Sequence, residues 1–143
     1  MRTKVAAILA AVILLSIASA GRAFAWEKKY TDGNLITKVQ TWTKGDHYFL
    51  RIWTVANING VDVNVSLRNS GGKTLSKWRE KRMDARFNDD EKPEPPEPYT
   101  VKQPLSKLAK GQKYTFVVNA FAAANDESGE SDRCVRRITF TKK

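Results

Sequence analysis

The stretch that decides the fold is "LAKGQKYTFVVNAFAAANDESGESD", residues 108–132. From Tyr114 onwards apolar side chains occupy every second position, while the positions counted from Thr115 are mixed in character. Successive side chains of an extended chain point to opposite faces, so this pattern is typical of a β-strand with one buried face. The stretch therefore predicts a turn at Gly111, a strand after it and an acidic loop at the end.

The same two-residue period recurs elsewhere in the chain. It predicts strands within residues 35–42, 47–58, 61–69, 99–105 and 135–143. Apolar residues on both faces of residues 47–58 indicate a central strand. With one further strand after residue 73, the count is seven. Seven short strands and no clear helix predict an all-β fold, a seven-stranded antiparallel β-sandwich, with a small β-barrel as the alternative.

The segment 73–98 has no clear period. For residues 73–87 we expect a strand followed by irregular chain, with a short helix as the alternative. Residues 88–98 contain four prolines, which have no backbone N–H to donate. This part is predicted to be an exposed, extended loop that pairs with no strand.

The first 25 residues have the pattern of a secretory signal peptide. Arg2 and Lys4 precede an apolar run, and a small-x-small motif ends at Ala25. A retained membrane anchor and a cut after Ala20 are the alternatives. We expect residues 26–143 to form one exported domain, secreted or periplasmic, with 22 basic and 15 acidic side chains.

Cysteine usage fits an exported domain without disulfides. Cys134 is the single cysteine, so no internal disulfide can form and the fold must rely on its core. We expect a half-buried free thiol near the start of the last strand. A disulfide between two molecules is the alternative.

The pattern of Leu108, Gly111 and Tyr114 ahead of the alternating strand resembles a fibronectin type III domain, and the similarity extends over residues 35–143. The resemblance implies a sandwich fold and a tyrosine corner, in which the Tyr114 hydroxyl bonds to backbone a few residues upstream. It also implies that Trp53 is the core tryptophan of the second strand.

The chain departs from the family pattern in three places. Lys110 stands where the family usually has proline, no proline follows Trp53 closely, and residues 73–98 are longer and more charged than usual. The resemblance also implies that the loop before the last strand is a recognition loop. Its predicted binding residues are Asn125, Asp126, Glu127, Glu130 and Asp132.

Catalysis requires a base together with a nucleophile or a metal. His47 and Cys134 are the single histidine and thiol, so the sequence offers no triad and no histidine metal site. The carboxylates of the acidic loop are candidate calcium ligands, but their spacing does not match an EF-hand and favours a solvated loop. We expect no catalysis, no metal and no cofactor.

Basic residues are concentrated between positions 73 and 86, where only two acidic residues oppose them. We call this group the basic segment; it consists of Lys73, Lys77, Trp78, Arg79, Lys81, Arg82 and Arg86. Such a cluster attracts polyanions with an affinity that falls with salt. For an exported protein these are lipopolysaccharide, acidic glycans or extracellular DNA. The alternative is that the charges maintain solubility and protect sheet edges.

The sequence thus predicts a small binding module that recognises a protein or an anionic surface polymer through loops and the basic segment. No enzyme activity is expected. The alternative is a structural subunit of an extracellular or cell-surface assembly, joined through sheet edges or through Cys134.

Overall fold

The computed structural model describes residues 25–122 and 132–143, and this part of the chain is built mainly of β-strands. The all-β class predicted from the sequence is confirmed. Residues 1–24 of the predicted signal peptide lie outside the described residues, as do four of the predicted loop residues, namely Asn125, Asp126, Glu127 and Glu130.

Ten strands are described. They are β1 (Trp26–Lys29), β2 (Ile36–Lys44), β3 (His47–Thr54), β4 (Val61–Asn69), β5 (Thr74–Met83), β6 (Arg86–Phe87), β7 (Pro93–Glu94), β8 (Tyr99–Pro104), β9 (Lys113–Ala122) and β10 (Asp132–Thr141). One turn of 3-10 helix, Leu105–Lys107, follows β8.

The strands form two four-stranded sheets and a small ribbon. Sheet A has the order β1-β2-β3-β8, sheet B has the order β10-β9-β4-β5, and β6 pairs only with β7. All of these pairings are antiparallel. The sheets share one core and do not close into a barrel, so the barrel alternative is wrong.

The core is filled by alternate residues of both sheets. The side chains of β9 that were predicted to face the core are buried, and so are the alternate side chains of β4. In β9 they are Tyr114, Phe116, Val118 and Ala120, and in β4 they are Val61, Val63, Val65 and Leu67. Tyr48 of sheet A reaches across the core and lies 4.0 Å from the Phe140 ring and 5.8 Å from the Phe116 ring, centroid to centroid. Burial of this apolar area is the main force that holds the sheets together.

The central position predicted for β3 is confirmed, because β2 and β8 flank it on its two sides. The strict alternation predicted for residues 35–42 is broken by a register shift between Ile36 and Lys38. A β-bulge inserts one extra residue into a strand and changes its phase. Leu35 and Ile36 are therefore both buried although they are neighbours.

The strand count and the segment after residue 73 differ from the prediction. The sequence predicts seven strands, but β1, β6 and β7 are additional. β5 is a continuous ten-residue edge strand, where a shorter strand with irregular chain or a short helix was expected. Its pairing with β4 shifts register twice. Each shift changes the phase of the alternation, which is why neither period is visible in residues 73–87.

The prediction that residues 88–98 pair with no strand is wrong. Pro93 and Glu94 form β7 opposite β6 in a ribbon of two residue pairs. Proline is compatible with a short edge strand, because no neighbouring strand needs a hydrogen bond from the backbone N–H that proline lacks. The loop between β6 and β7 is fixed by the Asn88 side chain, which accepts backbone N–H bonds at 3.0 and 2.9 Å from residues two and four positions on.

The tyrosine contact predicted from the resemblance is present. The Tyr114 hydroxyl accepts a hydrogen bond from the backbone N–H of Ala109 at 2.7 Å, and Leu108 next to it is 5% exposed. The turn before β9 contains Gly111 with φ of 79°, a conformation that a side chain would disfavour. The residues of the opening stretch therefore fix the corner from which β9 begins.

Two polar contacts join the sheets at opposite edges. Arg136 of β10 donates to Asp32 in the loop before β2 at 2.7 Å, and its guanidinium lies 3.8 Å from the centre of the Tyr30 ring. At the other edge Ser76 of β5 donates at 2.8 Å to the side-chain amide oxygen of Gln103 of β8, which is buried. Both edges of the sandwich are thus tied by side-chain hydrogen bonds.

Candidate functional site

Basic side chains lie in rows across the outer face of sheet B. Directly paired residues of neighbouring antiparallel strands point to the same side of a sheet. Lys77 pairs with Ser66, Ser66 with Val117, and Val117 with Arg137. This row crosses all four strands and has a basic residue at each end.

A second row lies four or five residues further along the strands. It runs from Arg82 through Asp62 and Phe121 to Arg133. Arg68 faces the same side, opposite Thr115 of β9. We call the four side chains Arg68, Lys77, Arg133 and Arg137 the basic face.

Arg82 is left out of the basic face because Asp62 neutralises it. The Arg82 Nε lies 3.1 Å from the Asp62 Oδ1, and this hydrogen bond raises the pKa of Arg82. Among the described residues, the members of the basic face form no ion pair. Strands in a sheet are about 4.8 Å apart, so the two ends of the Lys77 to Arg137 row are about 14 Å apart. An extended polyanion can contact both ends at once.

The structure divides the predicted basic segment between several surroundings. Lys77 and Arg82 lie on the outer face of sheet B, and Arg86 pairs with Glu97 at 2.8 Å. The remaining basic members are exposed on the edge strand or in the turn before it, namely Lys73, Arg79 and Lys81. The segment as a whole therefore does not form one surface.

Trp78 corrects the predicted site. It pairs with the inward-facing Val65, its ring lies 5.9 Å from that of Phe116, and it packs against the core. The strand alternation places it on the side opposite to Lys77. Trp78 therefore contributes to packing and does not belong to the outer basic surface.

Sequence reasoning did not bring Arg68, Arg133 and Arg137 together with Lys77. Arg68 of β4 and Lys77 of β5 lie on consecutive strands, but Arg133 and Arg137 belong to β10, which is distant along the chain and is joined to β4 through β9 in sheet B. The alternation of each strand indicates which side chains face outward. It does not indicate which strands are neighbours, and that order is what assembles the basic face.

A shallow depression of about 340 Å³ lies beside the second row. Its lining includes Asn64, Asn119 and Glu80, with Arg133 and Phe121 at one side. The two amides can donate and accept hydrogen bonds, but the Glu80 carboxylate repels an anion. The depression is therefore less suited to a polyanion than the Lys77 to Arg137 row.

The predicted recognition loop is described only at its end. Asp132, the described member of that loop, is exposed at the start of β10. Its neighbour Arg133 belongs to the basic face, so the end of the loop lies beside that surface.

The outer face of sheet A carries a stack of alternating rings and cations. Trp42 and Phe49 are parallel with centroids 5.1 Å apart, and the Arg51 guanidinium lies 4.8 Å from the Trp42 ring and 5.9 Å from the Trp53 ring. The Lys38 ammonium lies 4.3 Å from the Trp53 ring. Trp53 is therefore outside the core, contrary to the prediction, because it follows the inward-facing Ile52 in the alternation of β3.

The cations of this stack already have partners. Arg51 donates to the Thr100 hydroxyl at 3.0 Å, and Lys38 lies 2.6 Å from the Glu27 carboxylate. Rings covered by cations and by each other offer little free surface for a ligand to stack on. On sheet A the stacked cations therefore also have a hydroxyl or carboxylate partner, whereas on the basic face of sheet B Arg133 has, among the described residues, only a ring contact, 6.0 Å from the Phe121 centroid.

The reactive side chains are dispersed. His47 lies on sheet A in β3, whereas Cys134 is 5% exposed and belongs to the core cluster on the side of sheet B. The Cys134 thiol is thus more buried than the half-buried thiol that the sequence predicts. Within residues 25–122 and 132–143, no group of three His, Cys, Asp or Glu side chains is arranged to hold a metal ion. In the same ranges no helix has the length and apolarity needed to cross a membrane.

Comparisons with known proteins found no match: no protein-family model, no curated protein and no solved structure. A fold by itself does not determine function. The chemistry of the surface is therefore what supports a function for this chain.

Proposed function

We propose that this chain is an exported, non-enzymatic binding module that holds an anionic polymer against the basic face. The observation that carries the proposal is the set of four basic side chains on one sheet face, without ion pairs among the described residues. Three of them are arginines, whose planar guanidinium groups form paired hydrogen bonds with phosphate, sulfate or carboxylate. The separation of His47 from Cys134 supports a role without catalysis.

The fold proposed for this module is a fibronectin type III-like sandwich. Apart from β1 and the ribbon, seven strands remain, three of them in sheet A and four in sheet B. The chain forms a hairpin in sheet A, then one in sheet B, returns to sheet A with β8 and ends with a hairpin in sheet B. Such crossing between sheets is characteristic of Greek-key sandwiches, and the Tyr114 contact adds support.

Export is proposed from the signal-like pattern of residues 1–25. A binding module outside the cytoplasm meets anionic polymers at the cell surface, such as lipopolysaccharide, acidic glycans and extracellular DNA. A flat, basic sheet face suits a linear polyanion better than a compact ligand, because it offers charges in rows without a deep pocket.

The test is to measure the affinity of the protein for heparin, lipopolysaccharide and duplex DNA over a salt series. The variant combines Lys77→Gln, Arg133→Gln and Arg137→Gln. We expect binding to weaken, and for DNA we expect the slope of log affinity against log salt to fall by up to about 0.9 for each lost contact.

The matched control combines Lys102→Gln, Lys107→Gln and Lys110→Gln, which removes the same charge from exposed positions away from sheet B's outer face. The control should keep most of the affinity. Equal losses in the two variants would show that total charge matters and the basic face does not. Absence of binding at low salt would remove the polyanion proposal.

A structural subunit joined through sheet edges is the second candidate, and one observation favours it. β10 is ten residues long and, within the described chain, pairs along one side only. Arg133, Arg136 and Arg137 on this strand oppose edge pairing, since charged side chains commonly protect sheet edges. Size-exclusion chromatography at micromolar protein should show large species if this candidate is correct and a monomer if it is not.

A further inference from the structure

An apolar cleft of about 420 Å³ opens at the edge where sheet A and sheet B separate. Residues of β2 and β3 line one side, and the last residues of β10 line the other. β1 begins opposite Thr41, so no described strand covers β2 beyond that point. The cleft gives access to the space between the sheets.

The walls of the cleft are mainly aromatic and aliphatic. They include Trp26, Tyr48, Leu105, Ile138 and Phe140. Trp26 is 44% exposed, although tryptophan side chains are on average largely buried. The volume and the lining are those of sites that bind small, mostly apolar molecules oriented by a few polar groups.

A polar pair lies at the inner end of this space. Thr41 is 1% exposed, and its hydroxyl has no hydrogen-bond partner among the described residues. Burial raises the pKa of Tyr48, and the Thr41 hydroxyl partly opposes this rise, which places the two hydroxyl groups close together. A buried hydroxyl without a partner is costly. A polar atom of an occupant would satisfy it.

A cation lies at the other end, beside Leu105. The Lys142 ammonium donates to the backbone carbonyls of Leu105 at 2.7 Å and Leu108 at 2.8 Å. An ammonium has three donors, so one remains for a ligand. Asp and Glu are absent from the described side chains that line the cleft. This end of the cleft therefore favours an anionic group.

We propose that the cleft binds an apolar carboxylic acid that carries a hydroxyl group at the far end of its chain. The carboxylate lies at Lys142, the chain runs along the apolar walls, and the hydroxyl bonds to Thr41 and Tyr48. Thr41 of β2 and Gly45 in the turn after it both line the cleft, and their separation of four residues corresponds to about 13 Å at the rise of a strand. The Lys142 end lies near Gly45, because Leu105, whose carbonyl accepts from Lys142, donates its N–H at 2.7 Å to the carbonyl of Asp46. A ligand of that length spans both polar ends. This site is separate from the basic face and does not depend on it.

The experiment is calorimetric titration of the purified protein with three probes of equal chain length. 10-Hydroxydecanoate has both polar groups, decanoate lacks the hydroxyl, and 1,10-decanediol lacks the carboxylate. We expect decanoate to bind about five- to tenfold more weakly than the hydroxy acid, and the diol about tenfold or more.

Two variants assign these preferences to their residues. Thr41→Val combined with Tyr48→Phe keeps both side-chain shapes, removes both hydroxyls and should abolish the preference for the hydroxy acid over decanoate, while decanoate binding stays unchanged. Lys142→Gln should abolish the preference for the hydroxy acid over the diol. Because Lys142 also holds two carbonyls, circular dichroism checks that each variant is folded.

Trp26→Ala supplies a test that does not involve the polar groups. It removes one wall and should weaken all three probes to a similar extent. The variant with Lys77, Arg133 and Arg137 changed to Gln should bind all three probes as the parent does. The proposal is wrong if the three probes bind equally or not at all, or if either preference persists in the variant that should abolish it.

Discussion

At the scale of single residues, the opening stretch of sequence has a direct structural consequence. Leu108, Gly111 and Tyr114 form the corner that starts β9, and the Tyr114 hydroxyl ties that corner to the Ala109 backbone. The family resemblance that rests on these residues implies this contact, and both of its partners lie within a few residues of each other. Contacts of this kind depend little on the rest of the fold.

The first prediction concerns this contact. Tyr114→Phe keeps the buried ring and removes the acceptor of the Ala109 N–H bond. We expect the free energy of unfolding to fall by about 1 kcal/mol, since that is the net worth of a typical intramolecular hydrogen bond. Chemical denaturation at neutral pH measures it.

The control is Tyr99→Phe. Tyr99 is a half-buried tyrosine packed against the core, and among the described residues its hydroxyl has no hydrogen bond. Tyr99→Phe should lower the free energy of unfolding by less than about 0.5 kcal/mol. Equal losses in the two variants would mean that the Tyr114 hydrogen bond contributes nothing specific.

At the scale of the elements, β5 shows how a strand can be hidden from sequence analysis. Its partner β4 has a regular alternation of valines and polar residues, which the sequence makes obvious. β5 is an edge strand with two register shifts, so its inward positions do not follow a fixed period. For this reason the sequence predicts a binding role for Trp78, although its side chain faces the core.

The second prediction tests the two faces of β5. Trp78→Ala should lower the free energy of unfolding by about 2 kcal/mol, less than for a fully buried tryptophan, because the side chain is partly exposed. Lys77→Ala, one position earlier on the outer face, should change it by less than about 0.5 kcal/mol. Thermal unfolding of both variants provides the measurement. A larger effect for Lys77 would contradict the assignment of the faces.

At the scale of the whole molecule, the two outer sheet faces differ in how their charges are used. On sheet A, Arg51 and Lys38 are engaged by rings, a hydroxyl and a carboxylate. On sheet B, the basic face has no acidic partner within the part of the chain that the structure describes. The cations on the outer face of sheet A are therefore bound within the protein, whereas those of the basic face are suited to binding an external anion.

The third prediction concerns the contact that ties the sheets at one edge. The hydrogen bond from Arg136, followed by that from the Asn34 backbone N–H, holds the pKa of Asp32 well below its usual range. A carboxylate with a depressed pKa stabilises the fold above its unfolded pKa of about 3.9, and this contribution is lost as the pH falls toward the folded value. The wild type should therefore lose stability below about pH 4 in part through Asp32.

The variant Asp32→Asn isolates this contribution. Melting temperatures of both proteins are measured from about pH 6 to about pH 2, and the wild type should be more stable at the upper end. The difference should narrow as the pH falls, because a protonated Asp32 is neutral, as is the asparagine that replaces it in the variant. A difference that is constant over the whole range would show that the carboxylate charge does not stabilise the sandwich.

What the sequence determined by itself is the local structure. Alternation determines the faces of β3, β4 and β9, glycine and proline mark turns and loops, and the family resemblance around Tyr114 implies its corner contact. These signals are readable because each involves residues close together in the chain, where backbone geometry alone relates them. The all-β class follows from their sum.

The tertiary structure decided what depends on distant segments. The strand order brings Arg68, Lys77, Arg133 and Arg137 onto one face, and the separation of the sheets at β10 opens the cleft beside Trp26. In the structure Trp53 lies on the outer face of sheet A and Trp78 packs against the core, and both placements differ from the prediction. Each of these outcomes depends on which strands are neighbours and in which register, and alternation within one strand leaves both unspecified.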